Sequence, residues 1–242
     1  MKPKNQRARW TGFGPGVRQS PFQNSPAVSQ NLAKFPEPGD LRAVPPTWYE
    51  LPARTLIWRL YRRGGPHPVS WNEFRWYGPV RTARFDHHVL PARVQDRGIT
   101  YLTLYGPTSL AEVFQDRRVI DPWEHEPWLV GFETDTSLRL LDLTGPWPTR
   151  AGASMAINSG RRDRARRWSQ AIYEAHPDAE GLWYPSSMDA NNPCVALYER
   201  GRHAVPGNPG FHAALSDARL AVLVHNAAAR FNYDLIGTPY RP

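Results

Sequence analysis

The 242-residue sequence contains a single cysteine, Cys194. One thiol cannot close an intrachain disulfide or build a cysteine-rich zinc site, so a disulfide scaffold and a zinc finger are both excluded. Cys194 opens the apolar run Cys194-Val195-Ala196-Leu197-Tyr198 and reads as a buried structural thiol. Lysine is nearly as scarce: among thirty basic residues only Lys2, Lys4 and Lys34 are not arginine. Long apolar runs are missing too. Nothing approaches the roughly 18 unbroken apolar residues of a membrane-spanning helix. The basic start is followed by no apolar signal-peptide core. The expectation is a cytoplasmic protein with no membrane partner.

The widespread catalytic signatures are also lacking. There is no P-loop, no G-x-G-x-x-G, no H-E-x-x-H and no G-x-S-x-G. His87, His88 and His125, with Glu124 and Glu126, do not fall at a metal-ligand spacing, and Pro122 and Pro127 bracket the second group. No metal is expected.

Hydrophobic residues make up 40% of the chain, enough for one sizeable core. The net charge of +8 points to an anionic partner, and arginine's planar fork suits phosphate and carboxylate. Rich use of Arg, Pro, Ala and Trp with little Lys is also what a GC-rich genome produces. Charge alone therefore does not define a nucleic-acid binder.

Residues 1–45 carry Lys2, Lys4, Arg7, Arg9, Arg18 and Lys34 before any acid, with no apolar period. They read as a basic, loosely ordered arm. Residues 46–242 read as one domain ending in a helix. Strands are expected at 55–61, 100–105, 181–184 and 194–198, and residues 63–98 read as loop. Residues 128–133 and 138–143 read as a strand pair turning at Asp135-Thr136-Ser137. A helix is expected after Pro107, with Ser109-Leu110-Ala111-Glu112 as a capping box and Leu110, Val113 and Phe114 as its apolar face. A basic helix over 161–175 carries the stripe Ala165, Trp168, Ile172 and Ala175. A last helix, capped at Ser216-Asp217, carries Leu220, Leu223, Ala227 and Phe231. Without regular βαβ alternation, the fold class is α+β.

Taken singly, the polar residues along this frame read blandly. Glu112 caps a helix, Arg59 is a strand arginine, Arg84 and Asp86 pair in a loop, Tyr101 is a half-buried strand aromatic, and Ser186 turns after a proline. Their order is informative. Trp58-Arg59-Leu60-Tyr61, Ala83-Arg84-Phe85-Asp86, the run from Tyr101 through Ala111-Glu112, and Gly181-Leu182-Trp183-Tyr184-Pro185-Ser186-Ser187 follow one another with Leu138–Leu143 between the last two. This ordered set resembles the RES-domain family, over about residues 47–205. Ala83 stands where the family has glycine, and Leu60 where many members carry an aromatic.

The resemblance implies a fold similar to ADP-ribosyltransferases, a mixed sheet with flanking helices, and a cleft for NAD⁺. It implies a toxin of a bacterial toxin–antitoxin pair, neutralised by an antitoxin, with NAD⁺ as substrate and no true cofactor. It leaves a homo-oligomer open. By position, the family's Arg, Glu and Ser are Arg59, Glu112 and Ser186, with Arg84 and Tyr101 lining the site. Cleavage of the nicotinamide–ribose bond passes through an oxocarbenium-like state that the Glu112 carboxylate can stabilise. Arg59 and Arg84 can grip the diphosphate, Tyr101 can stack on nicotinamide, and Ser186 can bond the ribose or the nicotinamide amide. Water, phosphate or a protein can accept the ADP-ribose, so a protein-modifying ADP-ribosyltransferase is an alternative. A basic nucleic-acid-binding module, resting on the arm and on Arg161, Arg162, Arg164, Arg166 and Arg167, is the non-enzymatic alternative.

Overall fold

Short runs of aromatic and aliphatic residues make most of the strands, because such side chains pack on a pleated, half-buried surface. The computed structural model of the chain describes residues 33–189 and 192–237. In chain order these give β1 (Trp48–Leu51), β2 (Leu56–Arg62), β3 (Arg75–Gly78), β4 (Arg93–Thr103), helix α1 (Gly106–Val113), β5 (Val119–Ile120), β6 (Pro127–Glu133) and β7 (Leu138–Asp142). They continue with two helical turns, α2 (Trp147–Arg150) and α3 (Ala156–Ser159), then α4 (Arg162–Ala175), β8 (Gly181–Pro185), β9 (Pro193–Tyr198), β10 (Phe211–Ala214), α5 (Ala221–Phe231) and β11 (Asp234–Leu235). No helix among the described residues is long and apolar enough to cross a membrane.

Nine strands form one mixed sheet in the order β1-β7-β8-β9-β4-β2-β6-β10, with β3 also on β4. All its pairs are antiparallel except β7–β8, which is parallel and joined through α2, α3 and α4. The sheet nearly divides at its middle. β2 and β4 meet through one couple, Trp58 with Thr103, whereas β2 and β6 align over seven. Leu51, Leu102, Leu140, Trp183 and Val195 of one half pack with Ile57, Val130 and Phe132 of the other. α4 covers the outer face of the β7–β8–β9 half through Ala165, Trp168 and Ile172. α1 and α5 cover the β2–β6–β10 half through Leu110, Phe114, Val224 and Ala227. The α+β mixed sheet with flanking helices expected from the sequence is therefore the architecture found.

Several local expectations are corrected. β6 and β7 do not pair with each other; β6 lies between β2 and β10, and β7 between β1 and β8. The connector after β6 instead binds the one between β1 and β2. Thr134 receives the Thr55 amide on its hydroxyl at 3.2 Å, donates that hydroxyl to Pro52 O at 3.1 Å, and exchanges backbone bonds with Arg54 and Thr55. The two connectors turn the corner between the sheet halves together.

The stretch 63–98, expected as loop, contains β3 and half of β4. The capping box does not form. α1 begins at Gly106 with Pro107 in its first turn and Tyr105 as N-cap. Ser109 therefore lies inside the helix and bonds Thr103 at 2.6 Å. Val113, expected on the apolar face, is 38% exposed.

The arm expected to run to residue 45 is anchored in its last part: Phe35 and Leu41 are buried in the core beneath α4. Arg7, Arg9, Arg18, Lys2 and Lys4 lie outside the described residues. The basic face of α4 is largely engaged within the molecule. Arg161 pairs with Asp163, Arg162 with Asp116, and Arg164 and Arg167 with Glu37, while Arg166 donates to Arg81 O.

Candidate active site

Past the Trp58–Thr103 couple, β2 and β4 part. Along its second edge β4 is taken by β3 only as far as Ile99, so residues 100–102 have no ladder partner there. A cavity of about 390 Å³ occupies this gap, a size suited to a small organic ligand. Residues 59–62 of β2 form one wall and 99–103 of β4 another, while Ser109, Glu112 and Val113 of α1 close a third side. Thr82 and Arg84 reach in from the loop after β3, and Asn158 and Arg162 from the segment before and at the start of α4.

Of the five residues singled out in the sequence, Arg59, Arg84, Tyr101 and Glu112 line this cavity. Ser186 does not; its neighbour Ser187 does. Ser186 is 1% exposed and sits behind Glu112. Its hydroxyl donates to Glu112 Oε1 at 2.5 Å and accepts from the amides of Met188 at 3.1 Å and Asp189 at 3.0 Å. This occupied oxygen orients a carboxylate rather than facing a ligand. Gln115 Nε2 approaches the other oxygen of Glu112 at 3.4 Å. The serine loop is itself tied down: Asp189 accepts from Thr108 of α1 and Arg230 of α5, each at 2.6 Å.

Arg59 is fixed by main-chain oxygens. One guanidinium nitrogen donates to Trp71 O at 2.5 Å and Glu73 O at 2.8 Å, and burial pulls its pKa down to about 10. Leu60 turns the other way, into the core under α1 and α5. Tyr61 returns to the Arg59 face, its ring centre 5.8 Å from the guanidinium carbon. Arg84 donates to Gly160 O at 2.6 Å from a turn in which Ala83 N donates to Val80 O. Burial lowers the Arg84 pKa, the Arg162 charge lowers it further, and the Glu112 carboxylate opposes both. Burial raises the Tyr101 hydroxyl.

Three further arginines line the cavity, Arg62, Arg75 and Arg162; sequence reasoning passed over the first two and gave Arg162 only to the basic helix. Two of these are neutralised: Arg75 by Asp86 at 2.9 Å and Arg162 by Asp116 at 3.2 Å. Among the described residues, Arg59, Arg62 and Arg84 have no ion-pair partner within 4 Å, leaving three guanidiniums against the one carboxylate of Glu112. Asp86 organises the loop that delivers Arg84. Its fully buried carboxylate accepts from Arg75, the Val80 amide at 2.6 Å, the His88 amide at 3.2 Å and His88 Nδ1 at 2.5 Å. Burial alone would raise Asp86, but the His88 bond and the Arg75 charge outweigh it and hold it at about 2. His87, beside it, packs on Tyr173 and Tyr198 and lies 3.6 Å from Glu199. The histidine pair is thus structural.

A carboxylate fixed from behind thus shares the cavity with a surplus of two positive charges, an arrangement suited to an anionic ligand. Residues 56–216, about two thirds of the chain, match the RES domain. The chain belongs to the RES-domain family. Among solved structures it is similar to the M. tuberculosis MbcT–MbcA toxin–antitoxin complex, with 16% identity, 68% of this chain and 85% of that chain covered, and a TM-score of 0.45. No curated protein matches the sequence.

Proposed function

We propose that this chain is the toxin of a toxin–antitoxin pair and that it consumes NAD⁺ by breaking the nicotinamide–ribose bond. The observation that carries this reading is the Glu112 carboxylate, held at 2.5 Å by Ser186 and facing a cavity with three unneutralised arginines. A dinucleotide diphosphate carries two negative charges, which equals that surplus. Arg59, Arg62 and Arg84 hold the diphosphate through charge-assisted hydrogen bonds. Positive charge then develops on the ribose as the glycosidic bond lengthens. Glu112 stabilises it and is spared reorganisation, because Ser186 and Gln115 already fix its two oxygens. Nicotinamide leaves, and water or inorganic phosphate completes the ribosyl centre. Tyr101 offers an aromatic face to the nicotinamide ring. The toxin role and the antitoxin partner rest on family membership.

Purified protein incubated with NAD⁺, with and without phosphate, releases free nicotinamide on this reading, and Glu112→Ala lowers release by about 10²–10³-fold and relieves growth inhibition. Labelled NAD⁺ with lysate separates the acceptors, since a modified protein band forms only if protein is the acceptor. Absence of nicotinamide release by the wild type under all these conditions refutes the reading.

A further inference from the structure

With Ser186 occupied by Glu112, the cavity needs another group to recognise the leaving base. Asn158 is 5% exposed and lines the cavity. Its amide cannot turn freely, because Nδ2 donates to Leu143 O at 3.1 Å. That fixes Oδ1 as an acceptor, and Oδ1 is buried without a hydrogen-bond partner among the described residues. An orphaned buried acceptor is costly, and such groups in native proteins usually have an explanation.

The other polar groups around the cavity do not duplicate it. The arginines are donors only. Gln115 is spent, its oxygen on Arg162 and its nitrogen on Glu112. Thr103 and Ser109 bond each other. Thr100 Oγ1 and Tyr101 Oη are also buried and unpartnered, and Thr82 and Ser187 bring further hydroxyls to the cavity, but a hydroxyl can turn to donate or accept and so selects neither. Asn158 Oδ1 is therefore a neutral acceptor of fixed direction, complementary to an N–H donor on the ligand.

Position selects which donor. Asn158 stands four residues before Arg162, which donates to Gln115 Oε1 at 2.9 Å, and Gln115 in turn donates to the main-chain oxygen of Glu112 at 2.6 Å. Asn158 thus belongs to the Glu112 end, where the bond to be broken must lie. NAD⁺ carries one amino group at that end, the carboxamide of nicotinamide, and a second far away on adenine.

We infer that Asn158 is a specificity-determining residue that accepts a hydrogen bond from the nicotinamide carboxamide. This rests on the NAD⁺ reading above and extends it to a named contact. The site then prefers a carboxamide-bearing base over one that keeps the carbonyl but lacks the NH₂ donor.

The test is calorimetric binding to the full chain carrying Glu112→Gln, which holds the dinucleotide without turnover. NAD⁺ is compared with 3-acetylpyridine adenine dinucleotide, in which a methyl replaces that NH₂, and with nicotinamide hypoxanthine dinucleotide, which lacks the adenine amino group. The expected result is about tenfold or greater weakening for the acetylpyridine analogue and little change for the hypoxanthine analogue. Adding Asn158→Leu should weaken NAD⁺ to the level of the acetylpyridine analogue and leave that analogue unaffected. The analogue comparison needs no change at Asn158, so it stands even if that variant folds poorly. NAD⁺ and the acetylpyridine analogue binding equally, or selectivity appearing only at the adenine end, overturns the inference and spares the NAD⁺ reading. Failure of every dinucleotide to bind overturns both.

Discussion

Replacing Ser186 by alanine removes one oxygen on which three hydrogen bonds meet: one given to Glu112 and two received from the amides of Met188 and Asp189. The bond to the carboxylate is charge-assisted and the other two are ordinary, so the stability loss should be roughly 2–4 kcal/mol. The catalytic loss should be separate and bounded. Glu112 stays in place on α1 but loses the partner that sets its rotamer, and misplacement on that scale costs up to about 100-fold in kcat. Removing the carboxylate itself should cost more, about 10²–10³-fold. Nicotinamide release is measured for Ser186→Ala, Glu112→Ala and the double variant, with urea unfolding curves showing that each is folded at the assay temperature. Because the serine acts through the glutamate, the double variant should be no slower than Glu112→Ala alone. Ser186→Thr, which keeps a hydroxyl, should recover part of the loss. If Ser186→Ala is as inactive as Glu112→Ala, or if the double variant is slower than either, the serine has a direct chemical role and the reasoning is wrong.

Other consequences are as concrete. A Cβ on Gly181 would stand 2.5 Å from Ala196 O and 3.1 Å from Leu197 Cα. Gly181→Ala should therefore cost roughly 3 kcal/mol in urea unfolding, and a loss below ~1 kcal/mol would show that β8 and β9 separate easily. Burial lowers the pKa of His87, His176 and His212. An unfolded chain then binds more protons just below the usual histidine pKa of about 6.5. Their contribution is complete above that pH and is lost as pH falls through the lowered values, so the melting temperature should decline from pH 7 to pH 5. A flat profile would contradict this, and His176→Phe should reduce the slope. Cys194 is fully buried, and burial pushes its thiol pKa up. Ellman's reagent should leave the native protein unlabelled and titrate one thiol in denaturant; rapid native labelling would place the residue elsewhere.

The sequence made legible those elements whose buried face repeats. β2, β8, β9 and α4 follow from their aliphatic and aromatic spacing, and α4 buries the stripe Ala165, Trp168 and Ile172 that spacing indicated. The ribbon of β3 with the first half of β4 was hidden because much of it is exposed. Tyr77 and Val94 face each other there at 53% and 71% exposure, so no hydrophobic period forms. The β6–β7 pairing was misread because turn residues between two strands suggest a hairpin. What decides the topology is Thr134 bonding to residues about eighty positions away, and spacing carries no sign of that. At the site, the resemblance to the RES-domain family pointed to Arg59, Arg84, Tyr101 and Glu112, and all four line one cavity. The role of Ser186 was not readable, since a serine behind a carboxylate and a serine facing a ligand look the same in sequence. Asn158 was missed for a similar reason. Nothing in Ala156-Ile157-Asn158-Ser159 signals that one amide oxygen lacks a partner.

The parting of β2 from β4 has a further consequence. The cavity exists because the sheet omits a stretch of its own ladder, where three residues of β4 lack a neighbouring strand on one edge. A sheet gains cohesion by closing such gaps, and this one would lose its ligand space by doing so. Substitutions that lengthen the β2–β4 register should therefore make the protein harder to unfold and less able to admit a guest. Resistance to unfolding and capacity for binding draw on the same few peptide units, and they do so in opposite directions.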